Sequence, residues 1–531
     1  MKPIIAMKQR NETMVNSTGD SDLPGWVVEL ALPLPSIEDN TADADRLSGA
    51  IEQEFDVDRV DIDLSWRRRL PGLMRTSQFR IRCLIFKERQ CAVLIHAAAG
   101  NDPAVMAGLA VDLGTTRVVM RLLNLETRQT LAEKSFDNPQ LGIGPDVLAR
   151  IHHAEQADGL AILQRLIIDG VNLHLKALCR SCSLATEQIH LFCVAGNTAM
   201  SHLFAGLPVR WMIREPYIPA VNRFGLLRAA DLGLCASDSA RVLIFPNVGS
   251  YFGGDLISGI LATGMHRNSE TAILVDVGTN AEVVLGYREW LMACAGAAGP
   301  ALEGGMSRMG TAAAPGVIDR VRIDPVTRAF EVQTIDRLPP VGICGSGVID
   351  LAAQLFLSGM VDIRGKFKPE TCGQCLVEVS GMAHLTIVPE DASGSGEALR
   401  ISQADMDSLM RSKAAMYTIL ETITGTMGLA LEDLKTFYVA GTFGSLIDPR
   451  SAITIGMIPD LPMDHFHSMG NTSLAGAVAV LSRRGLAMEI DAIRDRITYL
   501  ELNVNQDFMN RFSAAKFLPH THKDRFPSVG P

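Results

Sequence analysis

The stretch Leu109–Met120 reads LAVDLGTTRVVM, and Ile273–Val284 reads ILVDVGTNAEVV. At the offset of 164 that separates Leu109 from Ile273, Val111, Asp112, Gly114, Thr115 and Val119 match Val275, Asp276, Gly278, Thr279 and Val283. In each copy an apolar run ending in Asp reads as a buried strand. The Gly-Thr pair reads as a tight turn and the next apolar residues as a second strand. Two copies separated by the length of one α/β subdomain predict duplicated halves facing a cleft.

The turns define the expected chemistry. Gly114-Thr115-Thr116 and Gly278-Thr279-Asn280 offer backbone N–H groups and hydroxyls at a strand end. Such nests take phosphate oxygens without a cationic side chain, and glycine lets the backbone come close. Asp112 and Asp276 stand just before the turns. They are badly placed to touch phosphate and well placed to hold the waters of Mg²⁺, which keeps much of its hydration shell. The competing reading is two ordinary β-hairpins with Gly turns.

The rest of the chain fits an α/β protein. Of 531 residues, 47% are hydrophobic and only 5% aromatic, with 46 glycines, a composition for close helix–sheet packing. The formal net charge of −10 argues against a nucleic-acid partner, which asks for a basic face. No apolar run is long enough to cross a bilayer. Met1–Gly25 lacks the apolar middle of a signal peptide, so a cytoplasmic protein with no membrane partner is expected. Residues 1–25 read as a disordered arm and residues 26–104 as a small α+β domain ending in the junction Asn101-Asp102-Pro103. Residues 105–517 read as the two-lobed α/β domain and residues 518–531 as a loose tail. In the small domain, Trp26–Leu34, Phe79–Phe86 and Ala92–Ala97 are strand-like. Ser36–Glu54 is the helical candidate, with Ser36 or Asp39 as its cap.

The two D-x-G-T hairpins resemble the phosphate-1 and phosphate-2 motifs of the ATPase superfamily that includes actin, sugar kinases and heat-shock chaperones. The resemblance implies an actin-like (ribonuclease H-like) fold and a site for ATP and Mg²⁺. Asp255, 21 residues ahead of Asp276 in the stretch Gly253–Ile260, stands where the superfamily often places a carboxylate that orients water or the metal shell. The plainer reading of Asp255 is a helix N-cap. Val439-Ala440-Gly441-Thr442-Phe443-Gly444 resembles the adenosine loop, and Asn471–Leu481 resembles the second connecting helix.

The strings CVAGNTAM (Cys193–Met200), AGAAGPALEGG (Ala295–Gly305), GICGSGVIDL (Gly342–Leu351) and VAGTFGS (Val439–Ser445) narrow the match. They resemble reductive activators of corrinoid proteins, from about Trp26 to about Phe517, with residues 26–100 resembling that family's middle domain. The resemblance implies an ATPase that supports re-reduction of a Co(II) corrinoid protein to Co(I) in a methyltransferase system. Thr115, Thr116, Thr279 and Asn280 would hold phosphates, Asp112 and Asp276 the Mg²⁺ waters, and Asp255 the hydrolytic water. Well-described members begin with a plant-type [2Fe–2S] domain, but no cysteine precedes Cys83 and none follows Cys375. No built-in iron–sulfur cluster is therefore expected, and a separate ferredoxin or reductase would supply the electron. A homodimer is open. The alternatives are a small-molecule kinase on the same fold, with Asp255 as base, and a nucleotide-gated binding module.

Other candidates divide between function and packing. Glu303 either meets ribose hydroxyls or is a solvated glutamate at a helix start, where acidic residues are favourable. Gly345 and Ser346 either approach the ligand or pack, and the adjoining Cys344 either bridges a cluster between subunits or is a small buried residue. Asn197 and Thr198 either line the cleft or cap the next helix. Glu282 faces the cleft or solvent. Cys179/Cys182 and Cys372/Cys375 make a four-thiolate metal site or are unrelated reduced thiols.

Overall fold

The run Leu109–Leu113 is buried almost throughout, as a central strand covered on both faces must be. The computed structural model describes residues 25–277, 281–296, 309–311, 313–441, 447–502 and 506–530. It divides into an N-terminal unit, Val15–Gly264 with Thr472–Ile497, and a C-terminal unit, Met265–Asn471 with Thr498–Pro531.

The N-terminal unit starts with a four-stranded sheet, order β1-β3-β4-β2, made of β1 (Val27–Ala31), β2 (Arg59–Asp61), β3 (Arg80–Glu88) and β4 (Cys91–Ala99). Helices Asp43–Phe55 and Leu64–Thr76 bury Leu47, Ile51, Trp66 and Leu70 against it. The first helix starts later than the sequence predicts, and its N-cap is Ala42. Asp39 does not cap it: its carboxylate receives Arg46 Nη1 and Thr41 Oγ1 instead.

The unit's second sheet, order β7-β6-β5-β8-β10-β9, comprises β5 (Ala107–Leu113), β6 (Arg117–Asn124), β7 (Thr130–Asp137), β8 (Ile189–Gly196), β9 (Leu226–Arg228) and β10 (Arg241–Ile244). β5, β6 and β7 form an antiparallel meander, and β8 joins β5 in parallel. The helix Gly159–Ser181 buries Leu163, Ile167, Val171 and Leu175, an apolar stripe at fourfold spacing, in this unit's core.

The C-terminal unit repeats the plan. Its main sheet is ordered β21-β20-β11-β12-β13-β22, from β11 (Ala272–Val277), β12 (Ala281–Tyr287), β13 (Trp290–Gly296), β20 (Thr436–Ala440), β21 (Phe466–Gly470) and β22 (Ile497–Tyr499). Again the Asp-bearing strand leads an antiparallel meander on one side and takes a parallel strand, β20, on the other. Two three-stranded sheets complete the unit. β15-β14-β16 uses β14 (Val317–Ile323), β15 (Phe330–Thr334) and β16 (Gly342–Ile343), and β17-β18-β19 uses β17 (Leu376–Val379), β18 (Met382–Val388) and β19 (Leu399–Ser402). The helix Gln403–Thr426 is started by a reciprocal Ser402–Asp405 capping box and runs through the core.

The tail is not loose over its described length. Leu518 and Phe526 are buried in the C-terminal unit's core, and Ser528 Oγ donates to Asp460 Oδ1. The buried Lys413 Nζ donates to the carbonyls of Phe517 and Pro519, at 2.5 and 2.7 Å. A buried ammonium needs such acceptors, so the segment is pinned where composition alone reads as polar and unstructured.

Candidate functional site

The sequence places Gly114-Thr115-Thr116 in the β5–β6 turn, and there the structure has them. All three carbonyls of the turn are held from within the unit. Gly114 O accepts from Asn138 Nδ2 at 2.9 Å, Thr115 O from Arg150 Nη2 at 2.6 Å, and Thr116 O from the Asn138 N–H at 2.8 Å. In a trans peptide the C=O and the following N–H point opposite ways. Fixing the carbonyls of Gly114 and Thr115 inward therefore aims the N–H groups of Thr115 and Thr116 outward. Neither amide donates to an acceptor among the described residues. Two successive outward-facing amides are what an anionic oxygen needs from a turn.

Three further elements of the same unit converge on the turn. Asn197 follows β8 and caps the helix Thr198–Ala205, its Oδ1 accepting from Met200 N–H at 2.9 Å. The cap reading therefore holds, and Asn197 Nδ2 also donates to Thr115 Oγ1 at 3.0 Å. The helix Gly254–Thr263 approaches so closely that a Cβ on Gly253 would lie 2.4 Å from Asn197 Cα. Asp255 sits in that helix's first turn. The N-cap is Gly253, so the cap reading of Asp255 is corrected; its Oδ1 accepts from the Leu256 N–H. Last, the helix Thr472–Ser482 brings Ser473, whose Oγ donates to Asp112 Oδ1 at 2.8 Å, while Ser473 O accepts from Ser258 Oγ at 2.6 Å. Asp112 and Asp255 thus stand on elements tied together through Ser473.

Second contacts fix this scaffold. His202 Nε2 accepts from Val221 N–H, so Nδ1 carries the proton and donates to Thr198 O at 2.7 Å. Burial holds this imidazole below its usual pKa. Burial also pushes the Arg150 guanidinium down to about 10, with Asp146 opposing the shift.

In the C-terminal unit Asp276 is the penultimate residue of β11, paired in register with Glu282 on β12 and Ala440 on β20. The Glu282 side chain is half-buried. Gly441 follows with φ +83°, and a Cβ there would be 2.8 Å from Asp276 Oδ1. Only glycine both adopts that left-handed conformation readily and leaves the carboxylate its place. The start of the predicted adenosine loop therefore lies against the predicted phosphate-2 aspartate. Gly278, Thr279, Asn280, Glu303, Thr442 and Gly444 lie outside the described residues.

Gly345 and Ser346 begin the helix Gly345–Leu357, and both are buried. Ser346 Oγ is 3.2 Å from Cys344 Sγ, which also lies 3.4 Å from Ile318 O, so Cys344 is a packed residue. Cys179 is buried in a helix, Cys372 Sγ donates to Met360 O at 3.3 Å, and among the described residues no group of three or more His, Cys, Asp or Glu could hold a metal. No helix of the described residues is long and apolar enough to cross a membrane. Sequence reasoning missed Asn138, Arg150 and Ser473. Their signals were an Asn before Pro, an Arg on a short helix, and a Ser at a helix start, none of which marks a ligand site by itself.

Comparison with known proteins agrees with the fold. Residues 270–530 match the model described as the C-terminal domain of RACo, the ASKHA domain, residues 107–268 the RACo middle region, and residues 20–103 the RACo linker region. The segment 26–100, likened above to the family's middle domain, therefore carries the linker match instead. The chain is 29% identical over 416 residues to the corrinoid activation enzyme RamQ of Eubacterium limosum, covering 76% of this chain and 69% of that one. It is 24% identical to the [Co(II) methylated amine-specific corrinoid protein] reductase of Methanosarcina barkeri, covering 76% of each. Among solved structures, a reductive activator for corrinoid, iron–sulfur protein superposes with a TM-score of 0.85 at 34% identity, covering 96% of this chain and 81% of that one. With an ASKHA-type α/β fold, two Asp-led hairpins and these matches across all three regions, the chain belongs to the family of reductive activators of corrinoid proteins.

Proposed function

We propose that this protein hydrolyses ATP to reactivate a corrinoid protein of a methyltransferase system, supporting the one-electron reduction of its cobalt from Co(II) to Co(I). In this reading the electron comes from a separate low-potential donor, a ferredoxin or reductase. The observation that carries the nucleotide reading is the β5–β6 turn, whose carbonyls are held inward and whose Thr115 and Thr116 amides aim outward. The corrinoid partner rests on what the relatives' names say they act on.

The residues present suit Mg·ATP. Thr115 and Thr116, with Thr279 and Asn280, hold phosphate oxygens; Gly441 leads the adenosine loop with Thr442 and Gly444; Glu303 meets the ribose; Gly345 and Ser346 contribute to the ligand surroundings. Bound Mg²⁺ supplies charge neutralisation at the phosphates, and Asp112 and Asp276 hold its waters. Asp255 orients the attacking water. Catalysis is then chiefly positioning and charge stabilisation. Nucleotide drives the partner's reduction only if it binds two conformations of the activator with different affinity.

The test is ATP turnover by the purified chain with and without a Co(II) corrinoid protein, a low-potential reductant being present. Turnover stimulated by the corrinoid protein, with Co(I) appearing in its absorption spectrum, is expected. Asp255→Ala should cut turnover by about a hundredfold or more, the scale of a lost general base or water-orienting group, while keeping nucleotide binding. Stimulation by a sugar or carboxylate instead, with a phosphorylated product, would overturn the corrinoid reading.

A further inference from the structure

Arg150 has a place in the fold that packing alone does not explain. Its side chain is wholly buried, on the helix Val147–Ala154. The guanidinium makes four contacts: Nε to Gly144 O at 3.0 Å, Nη1 to Gln140 Oε1 at 3.2 Å and to Met200 Sδ at 3.1 Å, and Nη2 to Thr115 O at 2.6 Å. Every acceptor is neutral. Among the described residues it has no ion pair, and the nearest acid to influence it is Asp146 at the start of its own helix. A buried cation without a counter-ion is costly, and proteins keep such groups where an anion completes them. The other arginine at the turn, Arg117, is exposed and paired with Asp137 at 3.1 Å.

We infer that Arg150 is a positioning residue for nucleotide phosphate: it aims the Thr115–Thr116 amide at the ligand and places an unneutralised positive charge directly behind the turn. The inference rests on the reading that the β5–β6 turn holds phosphate. Both effects act through one bond. The fork that pulls Thr115 O inward sets the direction of the Thr116 N–H, and the charge on the same fork strengthens that N–H as a donor through the shared peptide. Asn138 does the orienting part alone at Gly114, with a neutral amide. The ligand favoured is therefore one with a phosphate at this turn, and the uncharged part of a nucleoside gains nothing from Arg150.

The experiment compares the full-length chain with Arg150→Met and Arg150→Lys, measuring by calorimetry the Kd for Mg·ATP and, by competition, for adenosine. Arg150→Met keeps length and loses charge and donors. It should weaken Mg·ATP about tenfold or more, the scale of one charge-assisted bond, while adenosine changes less than about twofold. Arg150→Lys keeps the charge without the fork and should fall between. If Arg150→Met does not fold, the lysine variant decides, with KM for ATP raised about threefold or more and kcat held, as expected for a ground-state binding effect. Equal losses for both ligands, or none for Mg·ATP, overturn the inference and leave the nucleotide reading standing. A wild-type chain that binds no Mg·ATP overturns that reading and the assignment with it.

Discussion

Gly476 to alanine perturbs the surroundings of Asp112 without touching the reacting groups. A Cβ at Gly476 would lie 2.2 Å from Ser258 O and 2.3 Å from Ser258 Oγ. Carbon and carbonyl oxygen rest no closer than about 3.3 Å, so the helix Thr472–Ser482 must retreat from Gly254–Thr263 by about 1 Å. Overpacking of this kind costs about 1–3 kcal/mol, and a clash with backbone falls in the upper half of that range. Alanine returns about 1 kcal/mol as a better helix former. The expected net loss is about 1–2 kcal/mol, read as a lower urea midpoint. The functional effect is larger. The same retreat takes Ser473 Oγ from 2.8 Å to beyond hydrogen-bond reach of Asp112 Oδ1. A bond to a charged acceptor is worth about 1.5–3 kcal/mol, or a ten- to hundredfold change in an equilibrium. If Asp112 holds the Mg²⁺ waters, the half-saturating Mg²⁺ for ATP hydrolysis should rise by about tenfold or more. A variant with an unaltered Mg²⁺ midpoint and full stability would refute both the packing argument and the link between the two helices and Asp112.

Other outcomes follow from single contacts. Gly441→Ala forces a Cβ to 2.8 Å from Asp276 Oδ1 at φ +83°, and should weaken Mg·ATP binding while the melting temperature falls only slightly. Lys413 has its pKa held well below the usual lysine value by burial, so between its folded and unfolded values the unfolded chain binds more protons and stability rises with pH. Lys413→Met should remove that rise, widening the gap from wild type in melting temperature between pH 7 and pH 10. His96 and His190 stack at 4.0 Å between ring centroids, and burial lowers them to about 4 and about 3. Their contribution is complete above the unfolded value and lost as pH falls toward those values; His190→Phe should therefore lose less melting temperature than wild type between pH 7 and pH 5.

What could be read before folding was local. The Asp-Gly-Thr strand ends at Asp112 and Asp276 declared themselves because strand, turn and strand sit within a dozen residues, and the repeat doubled the signal. Asn197 was legible as a cap for the same reason, since it adjoins a buried strand. Ser473 was not, because its partner Asp112 lies 361 residues away and only the folded chain brings them together. Arg150 and Asn138 were missed because a buried charge and a buried amide look like surface residues in a one-dimensional pattern. The tail after Leu518 misled through composition: its polar residues hide Phe526, and the lysine that pins it stands over a hundred residues earlier. The start of the helix Asp43–Phe55 slipped because Asp39, a plausible cap, is drawn to Arg46.

The helix Thr472–Ser482 has a bearing on how this protein is made. Trp26 Nε1 donates to Val480 O at 2.8 Å, and that helix packs with Gly254–Thr263, so the N-terminal unit is closed by a segment that leaves the ribosome long after Gly264. At about 5–20 residues per second, the gap between Gly264 and Ile497 lasts on the order of ten to fifty seconds. For that interval a sheet face of the nascent chain and the indole of Trp26 wait without their cover. Truncated translation products ending before residue 472 should therefore be sticky, chaperone-bound species rather than half-sized working proteins.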